Sequence, residues 1–195
     1  HLGGQWPEAV DLVAGDRASA GRATVNQAPS GLSTMKVAYA DPPYIGQAKR
    51  HYNMPEVDHE ELIQRLGRDY PDGWALSCIS PSLRFLLPLC PDQIRVMAWV
   101  KPFASFKPNV NPAYAWEPVL VSGGRQPRDR SEITVRDWVS ANITLQRGLA
   151  GAKPDAFCWW LFDVLGLQKG DQMDDLYPGT GAVTRAWEMF QNRLI

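Results

Sequence analysis

From Met35 onward the 195-residue chain alternates short apolar runs of strand character with stretches of helical period. "KVAYA", "GWALSCIS", "IRVMAWVKP" and "WEPVLVSGG" read as strands. "VDHEELIQRLGRDY" reads as an amphipathic helix with Asp58 as N-cap, Glu61 at capping-box spacing, and Leu62, Ile63 and Leu66 on one face. "SLRFLLPLC" reads as a short helix. "KPDAFCWWLFDVLG" reads as a longer one, with Pro154 at its first position and Gly166 after its end. Its expected buried stripe is Ala156, Phe157, Trp160, Leu161, Val164 and Leu165. The last piece, "DQMDDLYPGTGAVTRAWEMFQNRLI", reads strand, glycine turn, helix, then one more strand. Strands alternating with helices predict a mostly parallel sheet covered on both faces, that is, a single doubly wound α/β domain. Residues 1–33, rich in Gly, Ala, Ser and Asn, read as a loop-rich arm, which leaves 34–195 as the domain.

One strand has an unusual end. "KVAYA" runs straight into Asp41-Pro42-Pro43-Tyr44. Two prolines in succession cannot donate backbone hydrogen bonds, and Pro43 forces Pro42 to be extended, so the strand stops there on a rigid backbone. A carboxylate, fixed carbonyls and an aromatic ring are thereby gathered at a strand's carboxyl end, where open α/β sheets bind ligands. A second strand ends in Asp175-Leu176-Tyr177, followed by Pro178, Gly179, Thr180 and Gly181. Those glycines permit a tight turn and close backbone approach to a ligand at a helix start. No Gly-x-x-x-x-Gly-Lys-Ser/Thr pattern is present, and the nearby Asp174 and Asp175 suit a cationic or amino-bearing ligand better than a pyrophosphate. A sulfonium with an amino-acid tail, S-adenosylmethionine, fits the second site, and a planar amine such as adenine fits the first.

Composition narrows the classes. No run approaches the ~20 apolar residues of a membrane span, and no signal-peptide pattern opens the sequence. Three scattered cysteines and three histidines without paired spacing predict reduced thiols and no metal site. Those features together lead to the expectation of a cytoplasmic protein. A net charge of −1 argues against coating nucleic acid by bulk electrostatics, yet leaves room for a basic rim around a pocket. Basic residues interleaved with aromatics supply candidates for such a rim: Lys49, Arg50, His51, Lys101, Lys107 and Arg125, with Arg128 and Arg130 beyond.

These landmarks, in order, resemble the MT-A70-like and permuted DNA amino-methyltransferases of phages and bacteria. "ADPPY" is similar to the family's Asp-Pro-Pro-aromatic motif, "VMAWVKP" to its Trp-x-Lys strand end, and "AWEPVLVSGGR" to a strand carrying an acid, here Glu117. "GAKPDAF" is similar to the Lys-Pro-acid helix start, and "WEMFQNRL" to a closing segment with Asn192. The resemblance implies a Rossmann-like sheet of the class I methyltransferase type in permuted motif order. It implies S-adenosylmethionine held by Asp41, Lys153, Pro154, Asp175, Tyr177, Pro178, Gly179, Thr180, Gly181 and Asn192. Within that set Lys153 takes the methionine carboxylate or ribose, and Asn192 takes the ribose. It implies transfer to adenine N6 by Asp41, Pro42, Pro43 and Tyr44, on DNA rather than RNA, in a bacterial or phage-infected cell, with a homodimer or partner subunit as further expectations. Cytosine N4, a catalytically silent partner subunit, and a small-molecule or amide substrate are the alternatives.

Overall fold

The computed structural model describes residues 33–46, 48, 55–103, 110–126, 134–143 and 152–193. The expected arm over 1–33 falls almost wholly outside them, as do Lys49, Arg50, His51, Lys107, Arg128 and Arg130. Six strands and four helices follow one another: β1 (Lys36–Ala40), α1 (His59–Asp69), β2 (Gly73–Ser77), α2 (Leu83–Leu86), β3 (Arg95–Val100), β4 (Trp116–Gly123), β5 (Trp138–Ser140), α3 (Asp155–Leu165), β6 (Gln172–Asp175) and α4 (Ala182–Gln191). They build one sheet in the order β5-β3-β4-β2-β1-β6. β1 pairs parallel with β2 and β6, and β3 parallel with β5, whereas β4 runs antiparallel to both β2 and β3. The carboxyl ends of β1, β2, β3, β5 and β6 therefore lie along one edge, together with the amino end of β4.

Both faces carry a core. On one, Val37, Tyr39, Met97, Trp99 and Val121 meet Phe157, Leu161, Phe162 and Leu165 of α3 and Val183 and Ala186 of α4. On the other, Ala38, Ala40, Trp74, Leu76 and Leu120 meet Leu62, Ile63 and Leu66 of α1 and Leu86 of α2. The start of α1 is held as the capping spacing predicts, with Asp58 accepting the Glu61 amide at 3.0 Å. α3 ends at Gly166 in the left-handed region, φ 66°.

Several expectations need correction. Pro154 is the N-cap of α3 rather than its first residue. In α3, Ala156 is exposed and Cys158 and Phe162 are buried, because α3 also packs its flank on Trp187 and Phe190 of α4. β5, three residues long, had no sequence signal. The chain after α4 does not start a strand at Asn192, which caps the helix with its amide donating to the Glu188 carbonyl at 2.9 Å.

Arg125 is the largest departure. β4 is the antiparallel strand, so its carboxyl end lies at the edge remote from Asp41. There Arg125 Nη2 donates to both carboxylate oxygens of Asp171, each at 2.7 Å, while Nε and Nη1 donate to the carbonyls of Gly166 and Ser33. Asp171 also accepts the amides of Met35 and Gln168. The two side chains are 11% and 3% exposed, so Arg125 is structural and not a rim cation. Removing one partner strands a buried charge, a loss of about 3–5 kcal/mol. Arg125→Ala should therefore lower the melting temperature by on the order of 10 °C, as calorimetry would record.

Candidate active site

Asp41, Lys101, Glu117 and Lys153 converge at the edge where the parallel strands end. Asp41 follows β1, Lys101 follows β3, Glu117 is the second residue of β4, and Lys153 precedes α3. Lys153 Nζ lies 2.9 Å from Asp41 Oδ2 and 3.4 Å from Glu117 Oε2, and Lys101 Nζ bonds the other oxygen of Glu117. The Tyr44 hydroxyl lies beside Glu117 as well. Beneath them is the Trp99 ring, 4.6 Å from Lys101 Nζ and 5.2 Å from Lys153 Nζ to its centroid. Two carboxylates thus alternate with two ammoniums, and the cluster is neutral as a whole.

Electrostatics keep Glu117 and Lys153 charged. Burial pushes the Glu117 carboxyl upward, but the ammoniums of Lys153 and Lys101 outweigh it and hold the carboxyl below its ordinary range. Burial likewise works against the Lys153 ammonium, and Asp41 and Glu117 more than reverse this, leaving it above the usual lysine value. The Tyr44 hydroxyl is pushed far up, by burial first and then by Asp41 and Glu117, so it stays protonated. Lys153 is 6% exposed and Asp41 22%, so the corner opens to solvent through the aspartate.

Next to it, β6 pairs with β1, with Tyr39 opposite Asp175, so Asp175 lies on the neighbouring strand two residues short of Asp41 and on the same face. The Asp175 Oδ2 accepts the Thr184 hydroxyl at 2.9 Å, whereas Oδ1 is buried with no hydrogen-bond partner. Burial and the neighbouring Asp41 charge raise this carboxyl above its ordinary value. Gly179 (φ 48°) and Gly181 (φ 73°) turn the chain into α4, and a Cβ on Gly179 would meet only the Tyr177 carbonyl, at 3.9 Å. An orphaned buried carboxylate oxygen beside an open glycine turn fits a cationic ligand.

The raised pKa has a sign. A carboxyl whose folded pKa exceeds its unfolded value weakens folding once pH rises past the unfolded value, because the native state must then carry a charge it disfavours. Asp175→Asn removes that cost while keeping an acceptor for Thr184. The variant should melt no lower than the original protein at pH 7, with the difference shrinking as pH falls into the carboxylate range. A lower melting temperature at pH 7 would show that the orphan oxygen has a partner in solution.

The expected site residues are thus partly assembled. Asp41, Pro42, Pro43, Tyr44, Lys153, Pro154, Asp175, Gly179, Thr180 and Gly181 stand along one edge. Lys101 belongs to the corner itself, 15% exposed and ion-paired, and not to an outer rim. Asp174 turns the opposite way and accepts the Tyr70 hydroxyl at 2.7 Å. Tyr177 is half-buried against the α1 core, so it has a packing role of its own. Asn192 stands in a shallow groove of about 480 Å³ with Asp155, Ala182, Arg185, Glu188 and Met189, and none of these belongs to the Asp41 corner. Glu117 was noticed only through the family resemblance. The signal that could have singled it out is a lone acid entering the otherwise apolar "PVLV".

The fold has solved counterparts. The chain is similar to the crystal structure of the M1.HpyAVI–SAM complex, with a TM-score of 0.54 and 14% identity over 81% of this chain and 80% of that one. The crystal structure of M1.HpyAVI matches at a TM-score of 0.49 and 12% identity, over 81% of this chain and 77% of that one. No family model and no curated protein matches the sequence. At this identity the likeness is one of fold: a Rossmann-like, mostly parallel sheet with helices on both faces.

Proposed function

We propose that the protein is an S-adenosylmethionine-dependent methyltransferase acting on the exocyclic amine of a nucleic-acid base, with adenine N6 in DNA as its target. The observation that carries this reading is the juxtaposition of two carboxylates of unlike environment on neighbouring strand ends. Asp41 is fixed by two prolines and open to solvent, and Asp175 has an unpartnered oxygen beside an open glycine turn. The fold shared with the M1.HpyAVI–SAM complex supports it.

When bound, the cofactor supplies an electrophilic methyl group on a sulfonium. Asp175 and the turn at Gly179–Gly181 would hold its cationic amino-acid end, and the amides at the start of α4 remain for its polar groups. An aromatic exocyclic amine is a weak nucleophile because its lone pair is delocalised into the ring. Asp41 and the carbonyl of Pro42 or Pro43 accept its two N–H bonds, localise the lone pair and stabilise the positive charge that grows on nitrogen. Lys153 takes Asp41 Oδ2 at 2.9 Å and so fixes the carboxylate's orientation. Tyr44, which follows the two prolines and lies beside Glu117, would stack on the base, a contact typically worth about 1–3 kcal/mol. The proton leaves after transfer, when the methylated nitrogen is far more acidic than the amine.

Titration calorimetry with S-adenosylhomocysteine tests the cofactor half. Binding is expected, and it should fall sharply in a Gly179→Val, Asp175→Ala double variant. Unchanged binding in that variant would move the cofactor elsewhere, and no binding by the original protein would remove the reading.

A further inference from the structure

Among the described residues, one part of the sheet carries no covering helix. β3 alternates, with Met97 and Trp99 buried against α3 while Val96, Ala98 and Val100 point to the other face. α1 and α2 cover that other face only over β1, β2 and Leu120. Trp116 pairs directly with Val100, and Trp138 with Ala98, so both indoles share the uncovered face. Val96, Trp116 and Trp138 are 42%, 39% and 42% exposed. In a doubly wound sheet both faces are ordinarily covered, so two half-exposed tryptophans on the strands either side of β3 call for an occupant.

We propose that this face is a stacking platform for the single-stranded nucleic acid that flanks the target base. The proposal rests on the function proposed above and extends it to a second surface. Three features favour bases over a protein partner. Between the indoles the floor is made of the short side chains Ala98 and Val100. The two backbone positions lie two strand spacings across and two residues along, about 12 Å, a span that two or three successive bases cover. The Arg136 guanidinium lies 5.4 Å from the Trp138 ring centroid, and it is the one charge among these described residues. The neighbouring Asp137 is engaged elsewhere, 3.9 Å from Arg95. The platform reaches the same sheet edge as the reactive corner but on the opposite face, since Trp116 and Glu117 are successive residues of β4, so the flanking strand has to cross that edge. A strand leaving the corner over the sheet edge meets Trp116 first and Trp138 next.

The test uses the full chain and a fluorescein-labelled single-stranded oligodeoxynucleotide of roughly a dozen residues with one central adenine, long enough to overrun the platform. Trp116→Ala and Trp138→Ala should each weaken its binding about tenfold or more, the loss expected for one stacked base. Trp→Phe at either position should restore most of it. Ala98→Glu, which keeps both rings but puts a carboxylate on the floor, should weaken it as well. Methyl transfer to a dinucleotide too short to reach the platform should be unaffected in all of them, which also shows that the variants fold. If the original protein binds and methylates the long oligonucleotide and the Trp116→Ala, Trp138→Ala double variant does so equally well, the platform is wrong and the proposed function stands. If the original protein neither binds nor methylates any oligonucleotide, both fall. If it sediments as a dimer that the double variant turns into a monomer, a second copy covers this face and the platform is again wrong.

Discussion

Asp41→Ala should reduce kcat for methyl transfer by about 10³-fold or more, because the carboxylate acts on charge that appears only in the transition state. Affinity for S-adenosylhomocysteine should change by no more than about tenfold, since the cofactor's cationic end is assigned to Asp175. The split between these two readouts carries the information. A purely structural aspartate would lower both through misfolding, and a cofactor ligand would lower affinity first. Near-normal turnover by Asp41→Ala would refute the assignment. Tyr44→Phe keeps the ring but loses the hydroxyl beside Glu117, so a rise in KM is expected without a comparable fall in kcat.

Lys153→Ala should be costly in a different way. The ammonium is almost fully buried and neutralises Asp41 and Glu117 together. Its removal leaves two carboxylates sharing one remaining cation, Lys101 on Glu117. Loss of one partner from a buried charge cluster typically removes about 3–5 kcal/mol of stability. The direction of the pH dependence follows from the shifts. In the original protein the depressed Glu117 carboxyl contributes stability above its unfolded pKa, lost as pH falls through the folded value. The raised Lys153 ammonium contributes below its unfolded pKa, lost as pH rises through the folded one. Both contributions are present at neutral pH. In Lys153→Ala the deficit should be greatest near pH 7–8 and should shrink on acidification, because protonating either carboxylate relieves the repulsion. Thermal melts of both proteins from pH 5 to 8 would record it. A deficit that grows on acidification would mean that the lysine is not compensating these acids.

The parts of this arrangement legible in the sequence are those fixed by local backbone chemistry. Two prolines must end β1 at Asp41, two glycines must turn the chain after β6, and a Lys-Pro pair must precede α3. Each holds whatever the tertiary context. What could not be read is direction. A fully buried strand looks the same in sequence whether it runs parallel or antiparallel, so Arg125 was expected beside the pocket, while the reversal of β4 carries it to the opposite edge and into a buried pair with Asp171. The same reversal brings Glu117, at the beginning of β4, to the Asp41 corner. Lys101 resembled a rim lysine because sequence shows its charge and not its partner, Glu117. β5 is three residues long and half exposed, too short for an alternating pattern to be distinguished from a loop. Asn192 was assigned through resemblance alone, and helix α4 extends to it.

The most direct measurement is to incubate the protein with S-adenosylmethionine labelled in its methyl group and with unmodified single-stranded and duplex DNA and RNA, digest the products to nucleosides, and identify the labelled one. Label in N6-methyldeoxyadenosine, absent with Asp41→Ala, is the result predicted here. Label in N4-methylcytosine would keep the amine-activating corner and change its base. Label in no nucleoside, from a protein shown to bind S-adenosylhomocysteine, would contradict the account.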